Sequence, residues 1–465
     1  MEGAGAGEAA AEAEVSAPGG AAAPRGAAGP GGAAAPRGAA PAALRAAGLA
    51  ALAAMAGASL AIVAGAQSGL DVLVPAAKLR YPGWLHGPLA PLELDLSNDG
   101  LAWLVLALCA AYLAALASAR GITPRAGLAA IAGLHVLYVL APPLLSSDVF
   151  GYIDLGRLGA VHGIDPYSPT DTPLPDDEVY DYRRWGSDLP SPYGPLFVLL
   201  MYPLGALGVP AALWSLKVLL GAASLATVLL VRRCAERLGQ DGHRAALFVG
   251  LNPVLLLWGV GGAHNDFLFV LALTGAIALT LGHRESTAAA AVTVGAAIKA
   301  SAGLPLLYLV AGARARRGAL KGAALAAVAM LALAATFGSD VVRLLEAIRD
   351  QQDAVALFSF PNQLGEWLGL GGITGGIRGV ALLALVATLA LTLRATWRGR
   401  LTWFAAAGWA TAALLVTSAW LLPWYLVWLL PLAALSGDRR LKGAALAIGG
   451  FVVYTRVDLW FGLGG

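Results

Sequence analysis

Charge is the scarce ingredient of this chain. Asp, Glu, Lys and Arg make up 13% of its 465 residues, about half the share of an ordinary soluble domain. A water-facing protein of that length needs far more polar surface. A soluble enzyme and a nucleic-acid binder are therefore excluded, and no nucleic-acid partner is expected. Cysteine is nearly absent, and two residues cannot build a disulfide framework, which excludes a secreted disulfide scaffold. Cys109 lies in an apolar run and Cys234 in a basic loop, so the two are not expected to pair. Aromatics are missing from residues 1–43, an Ala/Gly/Pro-rich stretch with Pro24-Arg25 and Pro36-Arg37 repeats. It cannot bury a core and reads as a disordered cytoplasmic tail. It does not read as a signal peptide, because no short apolar core follows a charged start.

What the chain has in quantity is apolar sequence, 58% of its residues. Runs of membrane-spanning length recur at about 44–66, 100–118, 126–144, 211–231, 244–260, 265–282, 286–301, 303–313, 319–337, 376–396, 401–419, 421–436 and 443–462, with a further run at 193–209. The expected fold is an all-α polytopic integral membrane protein, residues 44–465 forming one transmembrane domain. It should have about 13 transmembrane helices plus one interfacial or re-entrant segment. The 286–313 stretch reads either as one long kinked region or as a tight hairpin.

Loop charge sets the expected orientation. Basic residues cluster at 232–244, 314–321, 394–400 and 439–442, and these loops read as cytoplasmic. The 145–192 loop carries nine acidic residues against three arginines, and it reads as external, together with 67–99 and 338–375. The protein is thus expected in the plasma membrane, multi-pass, among membrane lipids, with its N-terminus cytoplasmic. One parity problem follows, because two apolar runs, 193–209 and 211–231, separate an external loop from a cytoplasmic one. Letting 193–209, broken by Pro203, lie along the interface or re-enter resolves it.

The same parity gathers polar residues on the outer face, where polar groups at span ends are costly unless used or paired. The acidic loop opens Ser146-Ser147-Asp148. Asp148, just beyond a span, is placed to act as a general base beside a lipid-linked donor; alternatively Ser147 caps a short helix and Asp148 merely favours its N-terminus. Tyr193 and Trp185 read first as interfacial anchors. Asp176-Asp177-Glu178 reads as a solvated acidic patch rather than a cation site. His264-Asn265-Asp266 either binds sugar hydroxyls or begins a helix, with Asn265 or Asp266 as cap. Lys299 either snorkels to the headgroups or holds a lipid phosphate. Trp420, Trp424 and Tyr425 around Pro423 suit an aromatic belt or a surface against a sugar or lipid chain.

The ordered set SSDVFGYIDLGRLGAVHGIDPYSP, SPYGPLF, GAHND, AAIKASAGLPLL and WLLPWYLVWLLP resembles the actinobacterial polyprenol-phosphomannose-dependent α-1,6-mannosyltransferases of the glycosyltransferase C superfamily, over roughly residues 100–440. The resemblance implies a glycosyltransferase C-type fold. It implies an inverting enzyme that moves mannose from polyprenyl-phosphate-mannose to a mannan or glycolipid acceptor on the external face, through α-1,6 linkages. It implies Asp148 as general base and Asp154 as a second candidate. It places His264, Asn265 and Asp266 near the donor, and Lys299 on the lipid phosphate. Arg157 stands second for the phosphate, and Tyr193, Trp424 and Tyr425 are candidate substrate contacts. No cofactor and no metal are expected. The competing readings are the same fold with a glucosyl or arabinosyl phospholipid, a transporter or flippase (the two repeated halves of many transporters are not evident), or a non-catalytic membrane scaffold.

Overall fold

The computed structural model describes residues 41–78, 80–168, 174–183 and 189–461. Residues 1–40 of the expected tail lie outside the described residues, as do Asp171, Trp185 and Asp188. Among the described residues all regular structure is helical. Four helices, α1 (Ala42–Gln67), α2 (Gly83–His86), α3 (Asn98–Ala117) and α4 (Pro124–Leu140), lead to α5 (Asp148–Ala160), which opens the acidic loop. Then come α6 (Pro195–Gly205), α7 (Val209–Arg237), α8 (Gly242–Gly250), α9 (Asp266–Leu281) and α10 (Glu285–Ala296). They are followed by α11 (Leu304–Gly312), α12 (Arg316–Ala334), α13 (Leu344–Asp353) and α14 (Phe360–Trp367). The chain closes with α15 (Gly375–Trp397), α16 (Trp403–Thr417), α17 (Leu430–Leu435) and α18 (Arg439–Trp460).

Local chemistry starts and stops these helices. Ser97, Thr123, Asp241, Thr374, Thr402 and Asp438 each accept a hydrogen bond from a backbone N–H in the first turn of the helix that follows, the usual relief for orphaned N-terminal donors. α15 packs on α11, α14 and α16 and leaves Val380, Leu382, Leu383, Val386 and Leu391 exposed. Both cysteines are free.

Among the described residues five helices are long and apolar enough to cross a membrane: α1, α3, α7, Arg316–Phe337 and α15. A sixth crossing arises if Gly242–Gly250 and Val254–Val260, bent by 51°, count as one. Helix length thus supports five or six single-helix crossings, and the expected count of about thirteen stays an expectation. The remaining apolar runs are real, but they form shorter pieces, among them Pro124–Leu140, Asp266–Leu281 and Trp403–Thr417. The α6 helix has 11 residues, about 16 Å, and cannot cross a hydrocarbon core of about 30 Å alone.

Two breaks position the candidate site. At Asn252-Pro253 the proline has no N–H to continue the helix, and Asn252 Oδ1 accepts from the N–H groups of Val254 and Leu255, restarting it at a new angle. The second break answers the 286–313 question: α10 ends at Ala296, Lys299 is extended (φ −147°, ψ 124°), and α11 begins at Leu304. The carbonyls freed at Ala297 and Ile298 accept from the N–H groups of Leu196 and Gly194, at 3.1 and 3.0 Å. The start of α6, from Gly194 to Leu196, thus docks on the unwound end of α10, immediately before Lys299.

Gly194 makes this approach feasible, since a Cβ there would lie 2.2 Å from the Ala297 carbonyl oxygen. Gly194→Ala must push the two segments apart, and is expected to cost about 1–3 kcal/mol of stability. Thermal unfolding in detergent checks this, and an unchanged melting temperature would contradict it.

Candidate active site

Asp148 occupies the first turn of α5, with Ser147 at the cap position but making no side-chain cap bond. Ser146 Oγ instead accepts from the Asp148 N–H at 3.1 Å. The Asp148 carboxylate is 23% exposed and sits 3.7 Å from Nδ1 of His264. Tyr152, one helical turn on and hence on the same face, brings its hydroxyl to 3.4 Å from the same nitrogen. His264 is fully buried and stacks on Trp424, ring centroids 3.6 Å apart. Burial, and then the charge of Lys299, hold its imidazole well below the ordinary pKa, so the ring is neutral. Nε2 has no hydrogen-bond partner among the described residues.

Asn265 and Asp266 continue the wall. Asn265 takes the cap position of α9, but its side chain makes no cap bond. Both of its amide atoms are buried without a partner, so capping does not explain it. Asp266 is fully buried. Its Oδ1 accepts from Lys299 Nζ at 2.8 Å and from the Trp428 indole N–H, while Oδ2 has no partner. Lys299 turns inward, away from the snorkelling position, with its ammonium 4.7 Å from the Tyr425 ring centroid and 5.3 Å from that of Trp428. Tyr193 is buried edge-on to Tyr152 and beside Phe197, a packed position rather than that of an interfacial anchor. Burial, then the Asp148 charge, raise its hydroxyl well above the ordinary tyrosine pKa.

The structure thus brings together Asp148, His264, Asn265, Asp266, Lys299, Tyr193, Trp424 and Tyr425. It does not add Asp154 or Arg157. Six residues along a helix amount to about 9 Å and 240° of rotation, so Asp154 leaves the face that carries Asp148. It is bound by Arg183 at 3.3 Å. Arg157 is held by both oxygens of Asp177, at 2.8 and 3.0 Å, and His162 binds the same carboxylate. The middle member of the acidic patch is therefore a buried ion-pair partner, not a solvated charge. Among the described residues no three His, Cys, Asp or Glu side chains group as a metal site.

Three residues that the sequence reading passed over belong here. Tyr152 was legible as the residue one turn after Asp148, and Trp428 as the residue one turn after Trp424. Lys217, a lone lysine in an apolar run, is buried and donates to the Gly261 carbonyl at 3.0 Å. Backbone strain also marks the site. Leu145 (φ 58°) precedes the Ser146–Asp148 turn, and Ala263 (φ 55°) precedes His264. Non-glycine residues in this region cost on the order of 1–3 kcal/mol and cluster at functional sites.

A family model described as alpha-(1->6)-mannopyranosyltransferase, N-terminal domain, matches residues 45–316, and one described as MptB C-terminal domain matches residues 355–456. The chain is 31% identical over 175 residues to alpha-(1->6)-mannopyranosyltransferase A of Mycobacterium tuberculosis, covering 37% of this chain and 34% of that protein. It is 28% identical over 180 residues to alpha-(1->6)-mannopyranosyltransferase A of Corynebacterium glutamicum, covering 37% and 36%. It is 30% identical over 146 residues to alpha-(1->6)-mannopyranosyltransferase B of the same organism, covering 28% and 23%. The matched stretches span about a third or less of each relative's length. No solved structure matches.

Burial raises the Asp154 carboxyl to about 6 from 3.8, against the opposing pull of Arg183. A raised folded-state pKa contributes stability that is full below 3.8 and lost as pH climbs through about 6. Asp154→Asn is therefore expected to lose less stability than wild type between those two limits. Unfolding curves across that window check it, and a steeper fall in the variant would contradict it.

Proposed function

The chain belongs to the alpha-(1->6)-mannopyranosyltransferase family, and we propose that it transfers mannose from polyprenyl-phosphate-mannose to a mannan or glycolipid hydroxyl, forming α-1,6 linkages on the external membrane face. The observation that carries this reading is the placing of Asp148. It is a partly exposed carboxylate set against a neutral His264, in a wall whose other polar atoms include several buried ones without partners. Buried orphans of this kind each cost about 1–3 kcal/mol, and sugar hydroxyls are the groups that relieve them.

In the proposed reaction Asp148 takes the proton of the acceptor hydroxyl. The acceptor oxygen attacks the anomeric carbon from the face opposite the phosphate. The bond from that carbon to the phosphate oxygen breaks, and polyprenyl phosphate leaves with the electron pair. One displacement turns a β-linked donor into an α linkage. Phosphate leaves without protonation, and a nearby cation stabilises its charge. Lys299 spends one of its three N–H donors on Asp266 and keeps two for the phosphate. Asn265, the free Asp266 oxygen and His264 Nε2 are assigned to sugar hydroxyls. Tyr193, Trp424 and Tyr425 supply ring surface to the sugar or the acceptor. The scheme draws on no metal and no cofactor.

The deciding experiment supplies purified protein in nanodiscs with radiolabelled polyprenyl-phosphate-mannose and a short α-1,6-mannoside. Wild type is expected to transfer mannose, and Asp148→Asn to lose about 10²–10⁴-fold in rate. A well-folded Asp148→Asn with near wild-type turnover removes the base assignment. Transfer only from glucosyl or arabinosyl phospholipids moves the donor, and silence with every lipid-linked donor favours a transporter. Lys299→Ala is expected to raise the donor KM while the acceptor KM holds. Unchanged donor kinetics in that variant would remove its phosphate role.

A further inference from the structure

Lys217 lies eight residues into α7, inside a run that is otherwise uncharged. It is 1% exposed, and its Nζ reaches across to the backbone carbonyl of Gly261. A buried amine bonded to a neutral carbonyl is an expensive way to tie two segments together, so what it ties matters. The same Gly261 carbonyl accepts from the Leu144 N–H at 3.1 Å. Gly261 opens the turn that delivers His264, and Leu144 stands four residues before Asp148. Leu145, next in the chain, is the strained residue that donates to the Leu73 carbonyl at 2.8 Å. Ala263, two residues beyond Gly261, is the other strained residue at the site. One carbonyl therefore joins the two strained turns that carry Asp148 and His264, and a side chain from a third helix grips it.

We propose that Lys217 is a positioning residue for the transfer reaction. By holding the Gly261 carbonyl it fixes the His264 turn against the Asp148 turn, and so sets the separation of imidazole and carboxylate. The rate consequence rests on the mannosyl-transfer reading above; the clamp itself does not. The Gly261 backbone is itself tightly seated, because a Cβ there would lie 2.3 Å from the Leu257 carbonyl oxygen and 3.1 Å from the Leu144 side chain.

The test compares Lys217→Met, which fills the space without a donor, with Lys217→Arg, which keeps one. In the full-length protein in nanodiscs, Lys217→Met is expected to lower kcat by on the order of 10- to 100-fold with the donor KM within about twofold, and Lys217→Arg to recover part of it. Hydrogen exchange read by mass spectrometry should rise in peptides covering 142–150 and 259–266, and stay at wild-type levels in α3, α15 and α16. A merely structural lysine would loosen the protein throughout and leave turnover per folded molecule intact, and that outcome overturns the proposal. So does an Lys217→Met variant with wild-type kcat and wild-type exchange. If Lys217→Met does not fold, wild type alone decides: the Leu144 amide lies outside any helix yet should exchange as slowly as helix-interior amides, and rapid exchange there overturns the clamp. Wild-type silence with polyprenyl-phosphate-mannose, alongside the expected local exchange, rejects the function and leaves the clamp standing.

Discussion

A buried carboxylate paired with a lysine holds the site together. Asp266 has no exposed surface, and stranding such a group after removal of its partner costs about 3–5 kcal/mol. Lys299 and the Trp428 indole N–H supply that compensation from positions 33 and 162 residues away in sequence. The pair works only if Lys299 leaves the helical path, because a continued α10 would carry it around the helix axis. The extended backbone at Lys299 is what turns the amine toward Asp266. Unwinding in turn exposes the carbonyls of Ala297 and Ile298, and the N–H groups of Leu196 and Gly194 satisfy them. The ion pair, the break in α10 and the docking of α6 are thus one linked solution.

The same economy of backbone groups recurs on the other side. The carbonyl of Gly261 serves Leu144 and Lys217, and the turn around it needs residues without side chains. A Cβ on Gly262 would press to 2.8 Å from His264 Nε2. Glycine here is a condition for the imidazole to lie flat on Trp424. Ordinary helix packing keeps helix axes about 8–10 Å apart, and these turns bring backbone to backbone. That is how chemistry-bearing side chains on α5, on α9 and on the Lys299 segment converge despite belonging to separate helices.

How much of this was legible follows from the range of the signals. Asp148, His264, Asn265, Asp266, Lys299, Trp424 and Tyr425 stand out because each is polar or aromatic at the edge of an apolar run, and the structure gathers all seven. The helical nature of the domain follows from composition alone. The number of crossings does not. Hydropathy records apolar runs and not where the helix breaks, and Asn252-Pro253 and the 297–303 stretch interrupt runs that are continuous in hydropathy. Arg157 and Asp154 looked equivalent to site residues because their partners Asp177 and Arg183 lie 20 and 29 residues away in a loop. Nothing local announces that they are already spoken for. Lys217 was missed for the opposite reason, since its partner is a backbone carbonyl, which leaves no trace in residue type.

The environments of the two carboxylates in the cluster divide the proposed labour. Asp266 is fully buried against a cation, so its bound oxygen is committed to Lys299. Asp148 faces a neutral imidazole and keeps part of its surface open, so taking up a proton there breaks no ion pair with Lys299. In the proposed reaction that difference in partners leaves Asp148 to take the acceptor proton and Asp266 to hold the lysine. Burial and the Lys299 charge favour the neutral form of His264. A charged imidazole 3.7 Å from Asp148 would lower the affinity of that carboxylate for a proton. A neutral one orients the carboxylate without weakening it as a base.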